Sequence, residues 1–135
     1  MSRRVVVCTG PLNWDHYSIV HDALGDLKPG DIVITGDAPG LDRIAISVAH
    51  LYRCPTIHVP YIGWLRGAGG PVRNGLMITA AAGLSDDVEV RAFGSRGDDA
   101  GTDDCVNQAQ AARIPVTWYA KPVWPEHIRE PRTHS

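Results

Sequence analysis

Val5-Val6-Val7-Cys8-Thr9 is a continuous apolar run, and Gly10-Pro11 halts it at once. An unbroken stretch of this kind, without polar alternation, predicts a strand buried on both faces of a sheet. A helical pattern follows, with Trp14, Tyr17, Val20, Leu24 and Leu27 on one face, and Lys28-Pro29-Gly30 closes it. Ile32-Val33-Ile34-Thr35 reads as a second strand and Gly36-Asp37-Ala38-Pro39-Gly40 as the turn after it. Leu41, Ile44, Ala45, Val48 and Tyr52 mark the inner face of a second helix. Thr56–Val59 predicts a short third strand, and 60–70 a loop carrying Tyr61, Trp64 and glycines. A third helix is expected over Pro71–Ala82, with proline in its first turn. Val88–Phe93, Thr102–Ala112 and Val116–Tyr119 read as strand, helix and strand.

Strand and helix alternate throughout, which predicts an α/β fold: a single Rossmann-like, doubly wound parallel sheet of about five strands flanked by helices. One domain is expected over residues 1–120. A surface tail is expected over 121–135, where three prolines and several charges gather. Ligands in such sheets bind beyond the carboxyl ends of the strands. Each glycine-bearing turn follows a strand, so Gly10, Gly36, Gly40 and the Gly94–Gly101 loop are expected along one edge.

The chain of 135 residues is 44% hydrophobic and 21% charged, which is globular. A net charge of −2 gives no basic field to draw in nucleic acid or an acidic membrane. No apolar run is long enough to span a bilayer, and the opening apolar run is too short for a signal peptide, so a cytoplasmic protein is expected. Cys8, Cys54 and Cys105 are odd in number and scattered, with neither metal-ligand nor disulfide spacing. The histidines do not cluster at ligand spacing either, so neither a metal site nor a cofactor is expected.

The chemistry concentrates in two places. Pro71-Val72-Arg73-Asn74-Gly75-Leu76-Met77 opens one helix, and Gly94-Ser95-Arg96-Gly97-Asp98-Asp99-Ala100-Gly101-Thr102 leads into the next. Glycines let backbone N–H groups approach an anion, and Thr102 can cap its helix and offer a hydroxyl. The plain alternative is an ordinary strand-to-helix turn. An arginine near a helix N-terminus opposes the dipole, so Arg73 wants an anionic partner there; otherwise it is a solvated surface residue. Asp98, Asp99, Asp103 and Asp104 crowd the same loop and would repel a phosphate unless they face solvent, meet a ribose hydroxyl, or share a cation. Acids in a first turn also simply stabilise a helix. Asp42 either orients the Gly36–Gly40 turn or meets the ligand. Trp14, Tyr61 and Trp64 either stack on a base or pack.

These motifs together resemble a known family. Val5-Val6-Val7-Cys8-Thr9-Gly10 with Asn13-Trp14, then Gly36-Asp37-Ala38-Pro39-Gly40-Leu41-Asp42, then the Pro-x-Arg-Asn-x-x-Met helix start, then Gly94–Val106, resemble in order the motifs of small phage and bacterial SLOG-superfamily proteins of the YspA/cpYpsA-related branch. The resemblance spans nearly all of residues 4–119. It implies a Rossmann-like fold that binds nucleotides or nucleotide-derived ligands. Relatives include the Lonely Guy phosphoribohydrolases, in which an arginine at the matching helix start and a glutamate after Gly-Thr carry the chemistry. Here Arg73 matches that arginine, and Asp104, one methylene shorter, stands for the glutamate. The usual proline of the loop is absent, Ser95 replaces a glycine, and Gly97-Asp98-Asp99-Ala100 reads as an insertion.

The leading expectation is a protein that senses or sequesters a nucleotide-derived phosphate ligand. Its expected contacts are Thr9, Gly10, Gly36, Gly40, Asp42, Arg73, Asn74, Gly94, Ser95, Arg96, Gly97, Gly101 and Thr102. The alternative is an N-glycosidic hydrolase of nucleoside monophosphates with Arg73 and Asp104 as catalytic residues. Single-stranded DNA binding, as in the DprA relatives, is disfavoured by the acidic balance and the lack of a basic stripe. Small helical faces such as Ala80-Ala81-Ala82 suit packing between subunits, and a homo-oligomer is expected.

Overall fold

β1 (Arg4–Thr9) is the central strand, and its alternating side chains divide the core in two. Val6 and Cys8 point to one face, where they meet Val20, Leu24, Ala45 and Val48; Val5 and Val7 point to the other, against Met77, Ile78, Ala81 and Ala109. The computed structural model describes residues 3–122. After β1 come α1 (Tyr17–Ala23), β2 (Ile32–Thr35), α2 (Leu41–Leu51) and β3 (Thr56–His58). A 3₁₀ segment over Gly63–Ala68 leads into α3 (Gly69–Leu84), β4 (Asp87–Phe93), α4 (Ala100–Ala111) and β5 (Val116–Tyr119). All strand pairs are parallel, in the order β3-β2-β1-β4-β5. The expected α/β class and the five-stranded parallel sheet are therefore present. α1 and α2 cover one face, α3 and α4 the other.

From β1 the chain moves outward through β2 to β3, then returns to place β4 on the opposite side of β1. This reversal opens a crevice at the carboxyl ends of β1 and β4, because the loops leaving the two strands diverge to opposite faces.

Several boundaries differ from the expected ones. α1 has only seven residues, with Trp14 ahead of it and Leu24 and Leu27 beyond its end. All three are buried, so apolar spacing that mimics one long helix is shared between a short helix and its flanking turns. Trp14 Nε1 donates to the carbonyl of His16 (3.1 Å), and the ring packs edge-on against Phe93. Part of the expected loop is the 3₁₀ segment, and α3 begins at Gly69 rather than Pro71. α4 begins at Ala100 because Asp99, not Thr102, is its N-cap, accepting from the Thr102 amide at 2.9 Å. Of the expected tail, residues 123–135 lie outside the described residues.

α2 and α4 end alike. Arg53 and Arg113 both adopt φ 60°, just past the helix, and each helix closes with paired bonds from the next two amides. Cys54 N reaches Ala49 O and Arg53 N reaches His50 O; Ile114 N reaches Ala109 O and Arg113 N reaches Gln110 O. This is the Schellman arrangement, here without its usual glycine. A proline follows each, Pro55 and Pro115, and its carbonyl accepts the first bond of an edge strand from Val33 or Val90.

Arg91 lies in β4 yet is only 3% exposed. Its guanidinium donates to Ala23 O (2.6 Å), Asp26 (2.6 and 2.8 Å) and Glu89 (2.6 Å). Arg4 donates to the same Asp26 oxygen at 2.7 Å. The Arg91 bond draws the Asp26 carboxyl down to about 2, with Arg4 adding to it and partial burial opposing. A carboxyl lowered on folding stabilises the protein above its unfolded pKa, and that contribution is lost as pH falls through the folded one. Denaturant unfolding should therefore show wild type above Asp26→Asn at neutral pH, the two curves converging between about pH 4 and pH 2. Parallel curves over that range would refute the role assigned to Asp26.

Candidate functional site

Arg73 is the fifth residue of α3, one turn past its start at Gly69 and two residues past the start anticipated at Pro71. Its side chain leaves α3 sideways and crosses the carboxyl end of β2. A Cβ on Gly36 would stand 2.1 Å from Arg73 Nη1 and 2.5 Å from Asp42 Oδ2. Gly36 is thus required by close approach: its missing side chain is the floor on which a guanidinium and a carboxylate sit. Arg73 Nε donates to Asn74 Oδ1 at 3.0 Å, and among the described residues its terminal nitrogens meet no hydrogen-bond acceptor.

Asn74 is 1% exposed and joins the two helices. Its Nδ2 donates to Gly101 O (3.2 Å) at the start of α4 and to Asp104 Oδ2 (2.9 Å). Gln108 Nε2 donates to the same oxygen (2.8 Å) and to Pro71 O (2.9 Å). Three of these polar contacts stitch the opening of α3 to α4, the fourth bracing Asp104 within α4, and they bring Arg73 beside Gly101 and Thr102.

The result is a cleft of about 390 Å³ lined by Thr9, Gly10, Asp42, Tyr61, Arg73 and Met77 together with Asp99, Gly101 and Thr102. Six of the residues expected at a ligand lie here: Thr9, Gly10, Asp42, Arg73, Gly101 and Thr102. A neighbouring hollow of about 290 Å³ shares Asp99 and Thr102 and holds Gly94 and Ser95, with Phe93, Trp14 and Lys121 on its other walls. Hollows of about 420 and 550 Å³ lie beside α2 and at the amino edge of the sheet. They lack a helix start and arginine converging from different elements, so size alone does not choose the site.

The other expected contacts sit elsewhere. Gly40, at φ +80°, turns the chain into α2, where a Cβ would meet Leu12 O at 2.2 Å. Gly97 N–H is held by the Asp103 carboxylate (3.0 and 3.2 Å). Arg96 turns along α4 to Asn107 (3.0 Å) and Gln110 (3.3 Å) and lies over the Trp118 ring, outside the cleft lining. Asp104 is bound at the seam between α3 and α4 and is not part of the cleft lining either.

The crowded carboxylates resolve into local duties. Asp99 caps α4 and also takes the Thr102 hydroxyl (2.6 Å); Asp103 fastens the loop; Asp104 receives two amides. Asp98 lines the neighbouring hollow. Sequence reading did not single out Asn74 as the bridge, nor Asp99 as the cap, although an aspartate three residues before Thr102 is a capping signal. Trp14 is 2% exposed, with Lys121 over its ring, whereas Trp64 is 82% exposed and Tyr61 edges the cleft.

Burial raises the Asp42 carboxyl above its ordinary range, outweighing the Thr35 hydroxyl, the Ala38 amide and the Arg73 charge that lower it. Burial likewise lifts the Cys8 thiol to about 12 and Cys105 to about 11, so neither is a thiolate nucleophile at neutral pH. Among the described residues no group of His, Cys, Asp and Glu is arranged to hold a metal ion, and no helix is long and apolar enough to cross a membrane. No protein-family model matches the chain, and no curated protein matches it.

Gly36→Ala should displace the Arg73 and Asp42 side-chain ends while the sheet survives, at a cost of about 1–3 kcal/mol. Denaturant unfolding measures the cost, and the arginine Nε–H resonance of Arg73 should shift. An unmoved resonance would contradict the packing described over Gly36.

Proposed function

We propose that the protein binds a nucleotide or nucleotide-derived phosphate ligand in the cleft at the carboxyl ends of β1, β2 and β4, sensing or sequestering it. One observation carries this reading: the unpaired terminal nitrogens of Arg73 and the first turn of α4 face one cavity. The Gly101 N–H has no acceptor among the described residues, and the dipole of α4 favours an anion at that end. The guanidinium adds a charge-assisted, geometrically directed contact. The ordered motifs that resemble SLOG-superfamily proteins point the same way.

Binding is favoured over N-glycosidic hydrolysis by the position of Asp104. Two side-chain amides hold its Oδ2 as an acceptor between helices, so its local bonds serve the seam rather than a proton transfer. The acidic balance and the absence of a basic stripe keep nucleic acid outside this reading.

Isothermal titration with AMP, ADP-ribose, NAD and cyclic nucleotides tests the reading. At least one should bind, and Arg73→Ala should weaken it about 10- to 100-fold, as loss of a hydrogen bond to a charged group implies. Silence across the panel overturns the reading. Release of free base from a nucleoside monophosphate, lost in Asp104→Asn, would establish hydrolysis instead.

We also infer a homo-oligomer that pairs through α3. Ala81 is in the core, but Val72, Leu76 and Leu84 are exposed, and Arg73, turned to the cleft, is the only charged residue of that helix. Light scattering should give a multiple of the chain mass, falling to a single chain in Leu76→Arg. A wild-type monomer refutes this pairing.

A further inference from the structure

We propose that Asp42 and Arg73 form a two-point reader for a phosphate monoester on a hydroxyl-bearing sugar, the guanidinium taking the phosphate and the carboxylate accepting a sugar hydroxyl. The inference rests on the phosphate reading of the same cleft and names the part of the ligand next to the phosphate.

Both groups line the cleft and converge over Gly36, yet they form no ion pair with each other. Each is anchored independently. Asp42 Oδ1 accepts from the Thr35 hydroxyl (2.8 Å) and Oδ2 from the Ala38 amide (3.2 Å), while Arg73 Nε is held by Asn74 (3.0 Å). A carboxylate fixed beside a guanidinium but short of it leaves donors on one side and acceptor lone pairs on the other. An inorganic anion uses only the first; a ligand with an anionic oxygen and a nearby O–H uses both.

The energetics of Asp42 agree. The residue is 7% exposed, and burial outweighs every contact that favours its charged form. The charged and titratable groups around it are Arg73 from α3, Asp37 from its own turn, Cys8 from β1 and Cys105 from α4. Of these only Arg73 is cationic. A buried carboxylate with two donors for its two oxygens retains accepting capacity, and a ligand hydroxyl satisfies it where water is restricted. Loop support alone would account for Thr35 and Ala38. It gives no reason for the carboxylate to line the cavity beside an arginine with open donors.

Titration of the full chain with AMP, 2′,3′-dideoxy-AMP, ribose 5-phosphate and inorganic phosphate tests the reader. AMP should bind about 10- to 100-fold more tightly than its dideoxy analogue, the range expected for a hydrogen bond to a charged acceptor. That ratio should shrink toward one in Asp42→Asn and Asp42→Ala, with overall phosphate affinity still dependent on Arg73. Ribose 5-phosphate binding as well as AMP would identify a free sugar phosphate; AMP binding alone would identify a nucleotide. Equal affinity of wild type for AMP and dideoxy-AMP overturns the inference whether or not the variants fold. Failure of all four ligands overturns the inference, and the phosphate reading falls with it only if ADP-ribose, NAD and cyclic nucleotides are silent too, whereas Arg73-dependent binding blind to the hydroxyls overturns only the role of Asp42.

Discussion

The buried amide of Asn74 is the contact on which the candidate site depends. Its oxygen faces the Nε–H of Arg73, and its nitrogen faces a carbonyl and a carboxylate. Those partners are unambiguous in kind, so the amide has only one orientation that satisfies all three. It thereby couples the aim of a guanidinium to the placement of the α4 start. Remove the amide and the Arg73 Nε–H loses its acceptor, while α3 loses its hold on Gly101 and Asp104, although Gln108 still bonds that carboxylate. Gln108 reinforces the seam by bonding both Asp104 and Pro71, so α3 and α4 are joined by polar contacts as well as by the apolar packing of Met77, Ala81 and Cys105.

Much of this was legible in the chain. The Val5–Cys8 run announces a central strand because both its faces are covered, and the alternation of strands and helices leaves little choice of fold. The place of Gly101 and Thr102 follows from the same logic, since their loop leaves the end of β4, whereas Arg73 reaches them from within α3 with its guanidinium held by Asn74. What stayed hidden depends on contacts distant in sequence. Arg91 sits within a run that reads as an ordinary buried strand, and its partner Asp26 lies far earlier in the chain. Arg96 looked like a phosphate ligand beside glycines, but Trp118 and the side-chain oxygens of α4 draw it outward.

The acidic loop shows how local bonds alter a charge argument. Counted as charges, Asp98, Asp99, Asp103 and Asp104 contradict an anion site. Bonded as they are, Asp99 offsets the orphan donors of a helix start, Asp103 closes a turn through Gly97, and Asp104 is bound by two amides. Of these four, only Asp99 lines the cleft. On the proposed reading, a phosphate would approach from the Arg73 side, over Gly101, rather than from the cap.

The knot of Arg4, Asp26, Glu89 and Arg91 clamps the start of β1, the end of α1 and the flank of β4, away from the crevice. The clamp and the candidate site thus occupy opposite poles of one small sheet. A chain arranged in this way can exchange residues around its cleft while the far pole keeps the architecture intact, so the cleft can diverge without loss of folding.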